Sequence, residues 1–248
     1  MSYLKLRRSW IILASFLACS LLVAAFPSVD IYVSRSFFHG GFQHPWWAEL
    51  LHAGIGYFIG VSMLSVVAVY VFNRVWQRNV LNVDGKRVVY LLLVLIVGGG
   101  LIVNVGLKDN FGRARPRDVV EFGGSKQFTP PFVVSHECSR NCSFSSGDGA
   151  GGFFALALAM ALSRRRAAFA AALAFGILVS TARIASGAHF FSDTVVSFFV
   201  MLLTADILYY YVVMTATERR ESAHPPKKLE PALVATSSEP ATRIPRDV

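Results

Sequence analysis

Six apolar stretches, each close to the ~20 residues that cross a bilayer as a helix, dominate the sequence. They lie near residues 9–27, 51–73, 88–107, 147–163, 167–187 and 190–214. The fourth is the shortest and would have to begin near Ser146 to cross. The chain is 54% hydrophobic and only 16% charged, whereas soluble domains carry about a quarter charged residues. The sequence therefore predicts an all-α fold, a polytopic bundle of six transmembrane helices within residues 1–216.

Basic residues in the short segments beside the spans predict the orientation. Lys and Arg cluster before span one, between spans two and three, between spans four and five, and after span six. With six spans these segments share one side, which the positive-inside rule makes cytoplasmic. We therefore expect a bacterial inner-membrane protein with both termini inside. Residues 217–248, rich in Pro, Ser, Thr and charge, are expected to form a disordered cytoplasmic tail.

The first apolar stretch has a second interpretation. Basic residues precede it and Ala24-Ala25 stand near its end, as in a secretory signal peptide. Its apolar run is longer than the usual signal core, which favours an uncleaved span.

The net charge of +9 does not indicate nucleic-acid binding, because the basic residues form short clusters between apolar runs and no single basic face. Some of them fall on the predicted outer side, against the positive-inside rule. These are Lys108, Arg113, Arg115, Arg117, Arg140 and Arg183. An anion-binding site near the outer leaflet would explain their position.

Cys138 and Cys142 flank a Ser-Arg-Asn segment in the predicted outer loop. A zinc site would need more ligands than the nearby His136 supplies, so no metal ion is expected. A short disulfide is favoured in an oxidising compartment. Two free thiols remain the alternative, because the loop closed by such a bond is tight.

His189 and Asp193 stand four residues apart and share a face on a helix. An aspartate bonded to one imidazole nitrogen fixes the tautomer and leaves the other nitrogen nucleophilic. Taken alone, His189 is better explained as an anchor of its helix at the membrane interface. The turn at Ser186-Gly187, however, can bring Arg183 to the same point as His189.

Two further clusters suit an anion. Arg115 offers a planar fork to phosphate oxygens and Lys108 a point charge. The neighbouring Arg113 and Arg117 could add contacts, but solvated loop charges are the favoured interpretation. At the start of span four, Ser146 and Gly147 would present backbone N–H groups at a helix N-terminus, where an anion is favoured, and glycine allows close approach.

These clusters reproduce, in order, three motifs of a known family. The stretch from Lys108 to Arg115-Pro116 fits the first, which is Lys, six residues, Arg-Pro. The third motif, Ser-Arg, five residues, His, three residues, Asp, is matched by Arg183, His189 and Asp193, with Ala182 in place of Ser. On these motifs, which cover spans three to six, the chain resembles the type-2 phosphatidic acid phosphatase superfamily of membrane lipid phosphatases.

The resemblance implies a six-helix membrane fold and hydrolysis of a lipid phosphate without metal or cofactor. It implies a phosphohistidine intermediate on His189, which Asp193 orients. By the same resemblance the residues that hold the phosphate are Lys108, Arg115 and Arg183, with Ser146 and Gly147 assisting. The expected partners are the bilayer and a phosphorylated lipid in its outer, periplasmic leaflet.

The second motif departs from the family pattern Pro-Ser-Gly-His. Ser145 replaces Pro, and Asp148 replaces the His that protonates the leaving oxygen in the family. An ionised carboxylate has no proton to donate, so three explanations stay open. Asp148 could act as the general acid in a protonated form, which is favoured by its place in the motif. His136 could supply the proton instead, or the leaving group could need none, as when it is itself a phosphate.

Within the family the sequence most resembles bacterial lipid A phosphatases and phosphatidylglycerophosphate phosphatases. The variant second motif favours a phosphate monoester of lipid A as substrate. Undecaprenyl pyrophosphate or phosphatidylglycerophosphate are the enzymatic alternatives. A degenerate protein that only binds anionic lipid is the non-enzymatic one.

Overall fold

The computed structural model describes residues 3–163 and 165–214. The predicted tail, 217–248, lies outside the described residues. The described residues contain seven α-helices: α1 (Tyr3–Ala25), α2 (Ser28–Arg35), α3 (Trp46–Trp76), α4 (Gly85–Leu93), α5 (Gly147–Leu162), α6 (Arg166–Ala185) and α7 (Phe191–Leu208). Two isolated bridges, and no strand, occur in the part of the chain that is described. The all-α prediction is therefore confirmed.

Two of the helices continue without a break as more widely wound π-helical segments. Helix α4 runs on through Val94–Lys108 and α7 through Tyr209–Val213. Both junctions keep right-handed helical dihedrals, at Val94 and at Tyr209. Lys108 therefore stands at the end of a continuous span.

Five helical stretches of the described residues are long and apolar enough to cross a membrane. They are Arg8–Ala25, Trp46–Trp76, Gly85–Lys108, Arg166–Ala185 and Phe191–Val213. Helix α5 matches the short fourth stretch and has only 16 residues, so the count of six spans stays a prediction. Helix α3 begins five residues before the predicted span, since Pro45 in an extended conformation starts it at Trp46.

Helix α5 lies in the centre of the bundle. Twelve of its 16 residues are buried, and it contacts α3, α4, α6 and α7. A Cβ built on Gly152 would lie 3.0 Å from the Val179 Cβ of α6. Helix α5 is therefore surrounded by protein along most of its length.

The connections at one end of the bundle build a cap over the helices. This end holds Lys108, where the continuation of α4 ends, the C-terminus of α6 and the N-termini of α3, α5 and α7. The long segment 109–146 folds over it, and the rings of Phe38, Phe42 and Phe122 pack together within 5.1–5.3 Å. The same segment carries a Cys138–Cys142 disulfide, as the sequence favoured. All predicted site residues lie at this end.

Candidate active site

His189 is held in the turn between α6 and α7. The carbonyl of Arg183 accepts the backbone N–H groups of Ala188 and His189, and Gly187 takes a positive φ of 62°. The ring of Phe42 packs against Gly187 where a side chain would stand, so glycine is needed here for two reasons. The predicted turn therefore forms and brings His189 next to Arg183.

The imidazole of His189 is 1% exposed and has one fixed partner. Its Nδ1 lies 2.7 Å from the carbonyl oxygen of Ser143. A carbonyl only accepts, so Nδ1 carries the proton and Nε2 keeps its lone pair. Burial lowers the pKa of His189, more strongly than the neighbouring Asp193 raises it. The ring is therefore neutral at neutral pH and has one nitrogen free to act as a nucleophile.

Asp193 lies beside His189, but the nearest partner of the imidazole is the Ser143 carbonyl. The Asp193 Oδ2 lies 3.6 Å from the His189 Nδ1. It accepts instead from the Ser143 hydroxyl at 2.5 Å and from the Phe190 backbone N–H at 2.8 Å. Because the Ser143 carbonyl holds the imidazole, Asp193 acts on His189 through Ser143 as well as through its charge.

Arg113 is buried, which corrects the prediction that it is a solvated loop charge. Its side chain is 1% exposed and lies between two carboxylates, at 2.7 Å from Asp30 and 2.5 Å from Asp193. Its Nε donates to the Thr129 carbonyl at 2.8 Å, and its guanidinium stacks on Phe190, 4.3 Å from the ring centroid. Arg113 therefore ties three distant segments of the chain together beneath the site.

Asp30 completes this buried cluster from α2. Its carboxylate accepts from the backbone and the hydroxyl of Ser192, at 2.8 and 2.6 Å, in addition to Arg113. Burial raises the pKa of Asp30, and Arg113 acts in the opposite direction. The sequence analysis missed Asp30, Ser143 and Ser192, because each is a common residue type far along the chain from its partner. Arg117, in contrast, is exposed, as predicted.

The three predicted phosphate ligands surround the turn that carries His189. Arg115 donates to the carbonyl of Asn141 at 2.8 Å, so the disulfide-bonded loop holds it. Burial, followed by repulsion from Arg117 and Arg183, lowers the pKa of Arg115. The Lys108 Nζ lies 3.5 Å from the position that a Cβ on Gly147 would take. Crowded and partly buried cations of this kind favour an anion between them.

Ser146 and Gly147 start helix α5 as predicted. The Ser146 hydroxyl caps the helix by accepting from the Gly149 N–H at 3.1 Å, and Ser146 is fully buried. Gly147 is the first residue of α5, and its missing side chain leaves room for Lys108 and for the Asn104 Oδ1. The helix N-terminus therefore opens toward the same cations.

Asp148 contacts two side chains that the sequence did not connect with it. Its Oδ2 lies 2.7 Å from the Nδ1 of His52 in α3 and 3.0 Å from the Nε of Arg183. The contact with Arg183 is an ion pair without hydrogen-bond alignment. The predicted alternative, His136, is exposed and has no contact with the site among the described residues. The one signal that could have pointed to His52 is a histidine at the outer end of an apolar span.

Comparison with known proteins identifies the family. Residues 87–216, more than half of the chain, match the PAP2 superfamily. The chain belongs to the PAP2 superfamily. The matched region contains all eight predicted site residues, whereas His52 and Asp30 lie before it.

Curated relatives agree with this assignment. A lipid A 4'-phosphatase of Francisella tularensis subsp. novicida is 32% identical over 186 residues, which cover 68% of this chain and 80% of the relative. A lipid A 4'-phosphatase of Rhizobium leguminosarum is 32% identical over 206 residues, covering 75% of this chain and 85% of the relative. The PAP2 chain described here is therefore a membrane lipid phosphatase, a phosphoric monoester hydrolase, and not the non-enzymatic alternative.

A solved structure shares the fold. The PAP2-type phosphatidylglycerolphosphate phosphatase of Bacillus subtilis has a TM-score of 0.54 and 21% identity, over 80% of this chain and 94% of that protein. This likeness supports the transmembrane PAP2 fold alone.

Proposed function

We propose that this PAP2 protein removes the 4'-phosphate of lipid A in the periplasmic leaflet, through a phosphohistidine intermediate on His189. The observation that carries the mechanism is the bond from the His189 Nδ1 to the Ser143 carbonyl at 2.7 Å. It leaves Nε2 unprotonated in a buried ring beside three cations. The names of the curated relatives support lipid A as the substrate.

The proposed reaction has two displacements at phosphorus. The His189 Nε2 attacks, the N–P bond forms, and the bond from phosphorus to the sugar oxygen breaks. Water then attacks the phosphohistidine, which releases inorganic phosphate and restores the neutral imidazole. Each displacement spreads negative charge over the phosphoryl oxygens, which Lys108, Arg115 and Arg183 stabilise.

The helix N-terminus and Asp193 have supporting roles in this proposal. The Ser146 backbone N–H already donates to the Asp193 carbonyl at 3.4 Å, so the Gly147 N–H at the helix N-terminus is the donor that we assign to the phosphate oxygens. Asp193 holds Ser143 through a 2.5 Å hydrogen bond, and Ser143 holds the nucleophile. The carboxylate also stabilises the positive charge that develops on the imidazole as its Nε2 bonds to phosphorus.

The proposed location is the bacterial inner membrane, with both termini in the cytoplasm and the site facing the periplasm. The support is the distribution of basic residues, which places the capped end of the bundle on the side opposite to the basic loops. The Cys138–Cys142 disulfide, which belongs to the cap, suits an oxidising compartment.

Phosphate release by the purified full-length chain tests the proposal. We expect release from lipid A, with mass spectrometry showing loss at the 4' position, and slower release from undecaprenyl pyrophosphate and phosphatidylglycerophosphate. Radiolabelled phosphate from lipid A should appear on His189. The variant His189→Gln should lose activity by roughly 10³-fold or more. Preference for either alternative lipid would reject the lipid A assignment, and full activity of His189→Gln would reject the mechanism.

A further inference from the structure

The carboxylate of Asp148 joins a histidine from another helix to the phosphate site. His52 lies in the second turn of α3, and Asp148 is the second residue of α5, 96 positions later. Their side chains meet at 2.7 Å, between Nδ1 and Oδ2. The same Oδ2 contacts the Nε of Arg183 at 3.0 Å. His52 is thus one carboxylate away from a residue proposed to bind the phosphate.

The contacts of Asp148 are those of an ionised acceptor. A guanidinium stays charged and only donates, so the neighbouring Arg183 favours a carboxylate over a neutral acid. Lys108 adds a second cation nearby, since its Nζ is close to Gly147. Both contacts of Asp148 are made by the same oxygen, Oδ2. Because an ionised carboxylate oxygen only accepts, the His52 Nδ1 carries the proton of the hydrogen bond between the two residues. Asp148 is therefore poorly suited to be the proton donor that the sequence analysis favoured.

We propose that His52 is the general acid of the reaction, a catalytic residue that the three family motifs do not contain, and that Asp148 is its positioning residue. The Asp148–Nδ1 bond fixes the ring so that the other nitrogen, Nε2, is available to the substrate. The His52 side chain is 49% exposed and that of Asp148 is 22% exposed. Solvent and substrate can therefore reach the imidazole, whereas the positioning carboxylate is more enclosed.

The proton balance of the two displacements closes with His52 and water alone. In the first, the protonated His52 gives its Nε2 proton to the sugar oxygen as the P–O bond breaks, so the leaving group departs as a neutral hydroxyl. In the second, the neutral His52 Nε2 takes a proton from the attacking water. The new P–O bond forms, the P–N bond to His189 breaks, and His52 is protonated again.

This inference rests on the proposed function, and leaving-group chemistry tests it. A sugar hydroxyl needs a proton to leave, whereas the nitrophenolate of 4-nitrophenyl phosphate does not. We expect His52→Gln to lower kcat on lipid A by about 10²- to 10⁴-fold. Its loss on 4-nitrophenyl phosphate should stay below about tenfold. A general structural defect would lower both rates equally.

Two further variants define the roles of the pair. Asp148→Asn should lower kcat on lipid A less than His52→Gln does, because the imidazole is still present. The double variant should be no slower than His52→Gln alone, since residues that act as a unit are not additive. The matched control is His44→Gln, because His44 also pairs with a carboxylate, 3.0 Å from Glu49, and is 51% exposed. His44→Gln should keep wild-type kcat on both substrates.

The outcomes separate the inference from the function on which it rests. Equal losses of His52→Gln on the two substrates, or lipid A activity within threefold of wild type, would overturn the role of His52 while leaving the phosphatase intact. If the wild type cleaves lipid A but not 4-nitrophenyl phosphate, the comparison of the two substrates is not possible. The dependence of kcat on pH then tests the role of His52. The general acid must be protonated, so the wild-type rate should fall at alkaline pH and the fall should disappear in His52→Gln; an unchanged profile would reject the inference. A wild type that releases phosphate from neither substrate would reject the proposed function itself.

Discussion

At the scale of single residues, the site depends on side chains whose charge is matched under burial. Arg113 lies between Asp30 and Asp193, and all three are at most 2% exposed. A buried ion is costly unless its partners compensate for lost hydration. The stacking of Arg113 on Phe190 adds a planar contact that lysine cannot reproduce.

Removal of the buried guanidinium should destabilise the protein. In Arg113→Met, two buried carboxylates lose their shared counter-charge, and we expect a loss of about 3–5 kcal/mol of unfolding free energy. Thermal unfolding of the purified protein in detergent measures it. Arg117→Met is the matched control, since Arg117 is exposed, and should change stability by less than about 0.5 kcal/mol. Similar losses in both variants would contradict the structural role of Arg113.

The lowered pKa of His189 should appear in the dependence of stability on pH. Below pH ~6.5 the unfolded chain takes up a proton on this residue and the folded protein does not. Wild-type stability should therefore fall relative to His189→Gln as pH falls below about 6.5, by up to about 1.4 kcal/mol per pH unit. The difference should become constant below the folded-state pKa. Melting temperatures of both proteins from pH 8 to pH 4.5, roughly the range that brackets an ordinary histidine, check this. A wild type that keeps or gains stability relative to His189→Gln as the pH falls would contradict it.

At the scale of elements, the position of the site depends on how closely α5 approaches its neighbours. Two glycines of α5 lie against its neighbours. A Cβ on Gly151 would lie 2.8 Å from Ile55 of α3, and a Cβ on Gly152 would contact Val179 of α6. On α6, Gly176 receives the ring of Phe153. Helix α5 carries Asp148 at its start, and α3 and α6 carry His52 and Arg183. Close packing of these three helices therefore sets the distances within the site.

A methyl group at the contact between α5 and α6 should separate the helices. A Cβ on Gly176 would overlap the Phe153 ring, so we expect Gly176→Ala to cost about 1–3 kcal/mol of stability and to lower kcat as well. Gly56→Ala is the control in α3, because nothing lies within 4 Å of a Cβ there. The higher helix propensity of alanine should leave that variant equal in stability or up to about 1 kcal/mol more stable. Thermal unfolding and phosphate release measure both effects, and equal behaviour of the two variants would argue against the packing role.

At the scale of the whole molecule, the two ends of the bundle differ in what they carry. One end holds the cap, the disulfide and the site. The opposite end holds the short 3₁₀ turn Val80–Asn82 and the ion pair between Arg8 and Asp206, 3.0 Å apart. Because α5 is buried among the other helices, the N-terminus of α5 and the polar site beside it are enclosed by protein. The proposed topology follows from assigning these ends to opposite sides of the membrane.

Labelling of single cysteines tests this topology. Val120 in the cap is 54% exposed and Val80 at the opposite end is 43% exposed. In a Cys19→Ser background, which removes the free cysteine among the described residues, we expect an impermeant maleimide to label Val120→Cys in intact spheroplasts. Val80→Cys should be labelled only after permeabilisation. The reverse pattern would invert the orientation, and labelling of both in intact spheroplasts would contradict the span arrangement.

Local sequence was sufficient for the elements and for part of the site. Continuous apolar runs of ~20 residues match helices that cross a bilayer, whereas the strands of membrane barrels are shorter and alternate in hydrophobicity, so the all-α prediction needed no knowledge of packing. Arg183, His189 and Asp193 lie at the end of α6, in the following turn and at the start of α7, so their short separation along the chain is enough to bring them together. The sequence also predicted that a helix starts at Ser146 and Gly147, and α5 begins there.

The tertiary structure alone decided which partners these residues have. Arg113 was expected in solvent because its carboxylates come from α2 and α7, 83 and 80 positions away. His189 takes the Ser143 carbonyl in place of Asp193, and Asp148 meets His52 across 96 positions. Contacts of this range leave no periodic trace in one sequence, because they depend on how helices dock. The sequence therefore determined a membrane-spanning helical phosphatase with its charged motifs, while the docking of α3 against α5 decided which histidine stands beside Asp148.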